Sequence, residues 1–131
     1  MFRIIVILML LVFAGGCKHQ PPLEDVDKAA ALFFQRLNDA EYDAIYKDAS
    51  TRLKTNKTRD AVVESLKELT ARGRLQEHRR INTSYQEQGK DRIATPVYST
   101  FFEQSRGELA ITFIDEGGEW KLIAFEFKLR G

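Results

Sequence analysis

The stretch RGRLQEHRRINTSY, residues 72–85, decides the fold because the spacing of its side chains changes there from helical to alternating. Upstream of it, apolar residues recur every three or four positions, whereas from Arg74 onward successive residues fall on opposite faces. One face of this predicted strand carries Leu75, Glu77, Arg79, Ile81, Thr83 and Tyr85. The other face is wholly polar and is expected to meet water; it carries Arg74, Gln76, His78, Arg80, Asn82 and Ser84.

Three more strands are predicted downstream, and glycine-containing turns separate them. Residues 97–103 form the second strand, with Pro96 at its start or on an edge, since proline cannot donate to a sheet ladder. Residues 108–114 form the third strand, which is apolar on both faces. Residues 120–129 form the fourth, and its continuous apolar face carries Ile123, Phe125, Phe127 and Leu129.

Three helices are predicted upstream of the sheet. The first carries an apolar stripe at helical spacing, made by Val26, Ala30, Phe33 and Leu37. The second is short, contains Tyr42, Ile45 and Tyr46, and ends near residues 49–50, before a polar loop at residues 54–57. Thr58 caps the third, whose buried stripe is Val62, Leu66 and Leu69, and Gly73 ends it.

This order of elements predicts an α+β domain over residues 24–131. Helices that precede a run of consecutive strands bury their apolar stripes against one face of an antiparallel sheet. We therefore expect about three helices on one face of a curved, four-stranded antiparallel sheet.

The N-terminal segment has the features of an export signal. A short cationic start, Met1-Phe2-Arg3, precedes an apolar run over residues 4–14. A membrane-spanning helix needs about 20 apolar residues, so this run is too short to cross a bilayer. It ends in small residues and at Cys17, the one cysteine of the sequence. We predict a cleavable signal peptide over residues 1–16 and a tether over residues 17–23, which Pro21-Pro22 extends.

The sequence Ala14-Gly15-Gly16-Cys17 resembles the bacterial lipobox, which the lipoprotein signal peptidase reads. The resemblance implies that Cys17 carries diacylglycerol on its sulfur and an acyl chain on its new amino group. In Gram-negative lipoproteins an aspartate after the cysteine favours the inner membrane. Position 18 is lysine, so the resemblance implies an outer-membrane anchor with the domain facing the periplasm.

The helical and strand order is also similar to that of the nuclear transport factor 2-like superfamily, which has a cystatin-like α+β fold. The residues that carry the similarity are Ala30 and Phe33 to Leu37, then Asp39, Tyr42 and Tyr46, and finally Gly118-Glu119-Trp120-Lys121-Leu122. The similarity implies a pocket between the helices and the concave sheet face. Some members of this superfamily catalyse proton transfer or dehydration with Asp, His and Tyr.

The charge balance argues against a nucleic-acid binder. Removal of the signal peptide takes away only Arg3, so the formal charge falls from +1 to zero, whereas a nucleic-acid-binding domain shows a basic excess. Basic residues still outnumber acidic ones over residues 47–92. That excess fits either a solvated helix face or a surface for anionic lipid head groups or an acidic partner.

Few residues suggest chemistry. The candidate pocket-lining residues are Tyr42, Tyr46, Glu77, Arg79 and Tyr98. Glu77 and Arg79 are predicted to share the face of Leu75, either paired in the pocket or solvated at a sheet edge. His19 and His78, without a second cysteine, make a zinc site improbable, and the sequence contains no phosphate-binding loop or nucleophile motif.

Two functions follow. The favoured one is a non-enzymatic envelope lipoprotein without a cofactor, whose domain binds a protein partner or a small apolar ligand beside the membrane. The alternative is a small pocket enzyme of the proton-transfer or dehydratase type. A third possibility is dimerisation through the outer face of the sheet, because Phe101 and Phe102 point to opposite faces.

Overall fold

The computed structural model describes residues 23–130 of the chain. The predicted signal peptide, the lipid attachment site Cys17 and the tether up to residue 22 lie outside these residues. The described part is α+β, and its helices all precede its sheet. The helices are α1 (Leu23–Asn38), α2 (Tyr42–Lys47), α3 (Thr51–Asn56) and α4 (Arg59–Thr70). The strands are β1 (Leu75–Gln88), β2 (Asp91–Phe102), β3 (Arg106–Glu116) and β4 (Glu119–Arg130).

The described residues form four helices, whereas the sequence predicted three. The additional helix, α3, takes up most of the segment that was predicted to be a polar loop. Its sequence shows no apolar stripe that would indicate a helix, because Leu53 is its one buried residue. The Ser50 hydroxyl caps α3 by accepting a hydrogen bond from the Arg52 amide at 3.1 Å, and Thr58 caps α4 as predicted.

The four strands form one antiparallel sheet in the order β1-β2-β3-β4, which confirms the predicted meander. The predicted start of the second strand is wrong, because β2 begins at Asp91 and contains Pro96 in its interior. Pairing between β2 and β3 is interrupted between Ala94 and Val97, so the missing amide of Pro96 breaks no bond of that ladder.

Two irregularities in β1 change which side chains share a face. The register with β2 shifts between Leu75 and Glu77 and again between Arg80 and Asn82. Each shift inserts one residue and reverses the alternation that follows it. Glu77 and Arg79 therefore do not share the face of Leu75, and the prediction that they do is wrong. His78 and Arg80 take that side of the strand, opposite the buried residues Thr100 and Tyr98.

A similar shift affects β4. The register with β3 changes between Thr112 and Phe113, so Leu122 rather than Ile123 lies opposite Phe113 and is buried. Leu129, at the far end, is 58% exposed. The continuous apolar face predicted for this strand is therefore interrupted at its start and solvated at its end.

The core draws buried residues from every helix and every strand named above. Its largest fully buried side chains include Leu37 of α1, Leu66 of α4, and Leu109 and Ile111 of β3. Direct contacts join helix to strand: the Phe33 ring lies 5.9 Å from Phe125, and the Asn38 side chain forms hydrogen bonds of 2.9 Å with the backbone of Leu75.

Gly107 provides a test of this packing. A Cβ at this position would overlap the Lys128 carbonyl oxygen and lie 2.6 Å from Cζ of Phe127. We expect Gly107→Ala to lower the free energy of unfolding by about 2–3 kcal/mol, since the crowded atoms belong to backbone and a packed ring. Urea denaturation measures this change.

Gly89→Ala is the matched control. Gly89 has a φ of +61° but open space around its Cβ position, so the substitution should cost only about 1 kcal/mol of backbone strain. Equal losses for the two variants would contradict the close approach at Gly107.

Candidate functional site

A groove of about 450 Å³ lies between α1 and the hairpin that joins β3 to β4. We call it the α1–β4 groove, and α2 and the segment after it contribute to one side. Its lining residues are Lys28, Ala29, Leu32, Phe33, Arg36, Ile45, Asp48, Phe113, Glu119, Trp120, Lys121 and Leu122. A volume of this size is typical of small-molecule and side-chain binding sites.

The floor of the α1–β4 groove is apolar. Phe33, Ile45, Phe113 and Leu122 are buried core residues whose outer atoms line it. Leu32 stands at its lip and is 44% exposed. The floor therefore offers apolar contact area to a bound group.

The rim of the groove carries charges of both signs. Arg36 pairs with Asp48 at 2.7 Å, and Lys121 pairs with Glu119 at 3.0 Å. Lys28 forms no ion pair with any residue from 23 to 130. Lys28 is not balanced by a carboxylate of the rim, so the rim adds one net positive charge to an apolar floor.

Glu116 fixes the hairpin side of the groove to the helices. The Ser50 and Thr51 hydroxyls and the Thr51 amide donate to the Glu116 carboxylate, and the Ser50 amide donates to the carbonyl oxygen of Leu122 at 2.9 Å. The hydrogen bond from Ser50, followed by those from Thr51, lowers the pKa of the Glu116 carboxyl below its ordinary value. Ser50 is fully buried, so this connection holds Leu122 in position.

The three tyrosines that the sequence singled out do not converge on one site. The Tyr42 hydroxyl forms a hydrogen bond of 2.8 Å with Oγ1 of Thr70, beside a smaller cavity of about 250 Å³. The Tyr46 hydroxyl donates to the Lys57 carbonyl oxygen at 3.3 Å. The Tyr98 hydroxyl donates to Oδ1 of Asp27 at 3.0 Å.

Glu77 and Arg79 lie elsewhere. Both are exposed, and they pair across the sheet with Phe101 and Ser99, on the opposite side of β2 from Tyr98. No ion pair joins Glu77 to Arg79 among the residues that the structure covers. The structure therefore separates this predicted pair from the tyrosines.

One polar cluster was missed by the sequence analysis. Asp27 of α1 accepts the hydrogen bond from Tyr98 and lies 3.5 Å from Nη1 of Arg80. The His78 ring stacks on Phe34 with centroids 4.2 Å apart and meets the Tyr98 ring edge-on at 5.7 Å. Only a register that includes the β1 irregularities brings these residues together.

Tyr98 is the buried member of this cluster, whereas Asp27 is partly exposed and His78 and Arg80 are exposed. Burial raises the pKa of the Tyr98 hydroxyl above its ordinary value, and the carboxylate of Asp27 adds to the effect. Partial burial lowers the pKa of the His78 imidazole. At neutral pH the Tyr98 hydroxyl is therefore protonated and acts as a hydrogen-bond donor.

The groove residues were missed for a different reason. Lys28 and Leu32 lie off the apolar stripe of α1, so the helical pattern marks them only as surface positions. The sole tryptophan, Trp120, was the one available signal, because its large half-exposed ring is the type of side chain that binding sites favour.

In residues 23–130, no three His, Cys, Asp or Glu side chains lie close enough together to hold a metal ion. Over the same range, none of the helices combines the length and the hydropathy needed to cross a bilayer.

Glu116→Gln tests the connection between the hairpin and α3. A carboxyl whose pKa is lowered by folding stabilises the protein above its unfolded pKa, near 4.5, and loses that contribution as the pH falls through the lower folded value. We expect the variant to lose about 1 kcal/mol of unfolding free energy at neutral pH and little at about pH 3. Urea denaturation at both pH values gives the comparison.

Glu126→Gln, a substitution of an exposed residue of β4, serves as the control and should change stability little at either pH. A loss for Glu116→Gln that is the same size at both pH values would contradict a role for the ionised carboxylate.

No protein-family model matches this chain, and no curated protein matches it.

Proposed function

We propose that this chain is a lipid-anchored lipoprotein of the bacterial cell envelope whose domain binds an apolar group in the α1–β4 groove without catalysing a reaction. The group belongs either to a protein partner or to a small apolar ligand. The observation that carries the proposal is the groove itself, with Leu32 and Trp120 at an apolar opening in an otherwise charged surface.

The anchor rests on the sequence before the described domain. Ala14-Gly15-Gly16-Cys17 follows an apolar run that is too short to span a bilayer. Diacylglycerol and an N-acyl chain on Cys17 would together hold the chain firmly, since two or more acyl chains are needed for stable anchoring. Lys18 favours the outer membrane, with the domain in the periplasm.

Distance along the chain supports a site beside the membrane. Helix α1 begins at Leu23, so only five residues separate it from Cys17, and five extended residues span at most about 18 Å. The groove residues of α1 run from Lys28 to Arg36, within about 20 Å of the start of the helix. The groove is therefore within reach of a ligand that is itself at the membrane surface.

We also propose that the helices cover one face of a curved sheet, as in the nuclear transport factor 2-like superfamily. Contacts from α1 to two different strands support it: Phe33 to Phe125 on β4 at 5.9 Å, and Phe34 to Tyr98 on β2 at 5.1 Å. The hydrogen bond from the Ser50 amide to the Leu122 carbonyl oxygen supports it from the segment before α3.

A non-enzymatic role is supported by how the polar groups beside Tyr98 are used. The Tyr98 hydroxyl and Asp27 satisfy each other, and Arg80 pairs with the same carboxylate. Groups that satisfy one another in this way stabilise a fold without a substrate. The rim charges of the groove are likewise paired, apart from Lys28.

The alternative function is a pocket enzyme of the proton-transfer or dehydratase type. One observation favours it: Asp27, His78 and Tyr98 lie together, and two of them have pKa values moved from the ordinary range. The discriminating variant is Tyr98→Phe. Loss of an enzymatic activity in this variant, with an unchanged free energy of unfolding, would favour the enzyme over the binding domain.

The anchor is tested by labelling cells with radioactive palmitate. The wild-type chain should incorporate label and fractionate with the outer membrane, because Cys17 carries the acyl chains. Cys17→Ser should lose the label and leave the membrane fraction. Equal labelling of the two proteins, or a wild-type chain recovered with a free thiol, would contradict the proposed anchor.

The groove is tested by placing a photo-crosslinking benzophenone amino acid at position 32 of the full chain in cells. We expect a covalent adduct after irradiation, since Leu32 stands at the lip of the groove. Mass spectrometry of the adduct then distinguishes a protein partner from a lipid or other small apolar ligand.

The same probe at position 129 is the matched control. Leu129 is even more exposed, at 58%, but does not line the groove. Equal yields at the two positions, or no adduct at position 32, would contradict binding in the groove.

A further inference from the structure

A second concave surface lies where the C-terminal end of α4 meets the β2–β3 turn and β4. Two adjoining cavities form it, and we call them together the α4 cleft. The first, of about 290 Å³, is lined by Glu68, Ala71, Arg72, Gln104 and Ser105. The second, of about 230 Å³, is lined by Ser65, Glu68, Leu69, Arg72, Phe125 and Phe127. The α4 cleft shares no lining residue with the α1–β4 groove.

The polar end of the cleft contains two buried atoms with unused hydrogen-bonding capacity. Within residues 23–130, Nε of Arg72 and Oγ of Ser105 are both enclosed and have no hydrogen-bond partner. Buried polar atoms are nearly always paired, and these two belong to side chains that line the same cavity. A guanidinium donor and a hydroxyl group are suitable partners for a carboxylate.

The position of the Arg72 guanidinium is fixed by an aromatic ring. Its Cζ lies over the Phe127 ring, 4.5 Å from the centroid, and this cation–π contact restricts the positions that the guanidinium can take. Glu68 precedes Arg72 by one helical turn, a spacing at which the two side chains commonly pair. They form no ion pair among the residues described, so both charges can meet a ligand.

The charges of the cleft select a zwitterion over a simple anion. Arg72 and Glu68 together carry no net charge, so a phosphate or a lone carboxylate beside Arg72 would also meet the negative Glu68. A ligand that carries an ammonium group next to its carboxylate would satisfy both. Leu69, Phe125 and Phe127 then offer apolar contact to whatever side group the ligand bears.

We propose that the α4 cleft binds the zwitterion of an apolar α-amino acid. Arg72 and Ser105 hold the carboxylate, Glu68 holds the ammonium group, and the side chain lies against Leu69 and the rings of Phe125 and Phe127. This site is separate from the α1–β4 groove and does not depend on the function proposed for it.

The test uses the full chain in detergent micelles, and nuclear magnetic resonance follows its backbone amides during titration with L-phenylalanine. We expect saturable shifts at Gln104, Ser105 and Phe127. N-acetyl-L-phenylalanine lacks the ammonium group and L-phenylalanine amide lacks the carboxylate, so each should bind about tenfold more weakly or worse. Equal affinity for the three compounds, or no saturable shift at the cleft, would overturn the proposal.

Substitutions separate the two charged contacts. Arg72→Gln should weaken binding of L-phenylalanine about tenfold, and Glu68→Gln should do the same. Lys67→Gln and Glu64→Gln, at exposed positions on α4 outside the cleft, are the matched controls and should leave binding unchanged. The same spectra report whether each variant is folded, and Glu68→Gln remains informative if Arg72→Gln is not. Unchanged binding in Glu68→Gln would overturn the proposal.

Discussion

Two adjacent phenylalanines on α1 connect this helix to strands at both edges of the sheet. Consecutive residues of a helix point about 100° apart, so Phe33 and Phe34 reach different strands. Phe33 contacts Phe125 on the edge strand β4, whereas Phe34 contacts Tyr98 on β2 and stacks on His78 of the other edge strand, β1. One turn of helix therefore contacts both edge strands of the sheet.

The α1–β4 groove follows from that constraint. With Phe33 directed at the sheet, Leu32 and Lys28 lie on the side of α1 that faces the β3–β4 hairpin. Hydrogen bonds from Ser50 and Thr51 to Glu116 hold the hairpin against the start of α3. The apolar floor of the groove is made of buried core residues.

Both edges of the open sheet carry features that oppose unwanted strand pairing. Strand β1 combines charged side chains, including Glu77 and Arg79, with two register shifts. Strand β4 carries Lys128 and Arg130 at its end, and its register with β3 shifts near Leu122. Charges and bulges on edge strands disfavour edge-to-edge association. The bulges in β1 also bring His78 and Arg80 beside Tyr98 and Asp27. The irregular register of β1 therefore affects both the pairing properties of this edge strand and the position of the polar cluster.

The sequence by itself determined the order of helices and strands, because apolar periodicity and caps such as Thr58 are local signals. It also determined the antiparallel meander, since short turns allow no other neighbour for each strand. Helix α3 was not predicted, because a six-residue polar helix carries almost no apolar periodicity. Only the tertiary structure decided which sheet face Glu77, Arg79, His78 and Ile123 occupy. One inserted residue reverses the alternation of side chains along a strand, and long-range packing decides where that insertion falls. Both cavities depend likewise on residues far apart in the chain, which meet only when the helices and the sheet are assembled.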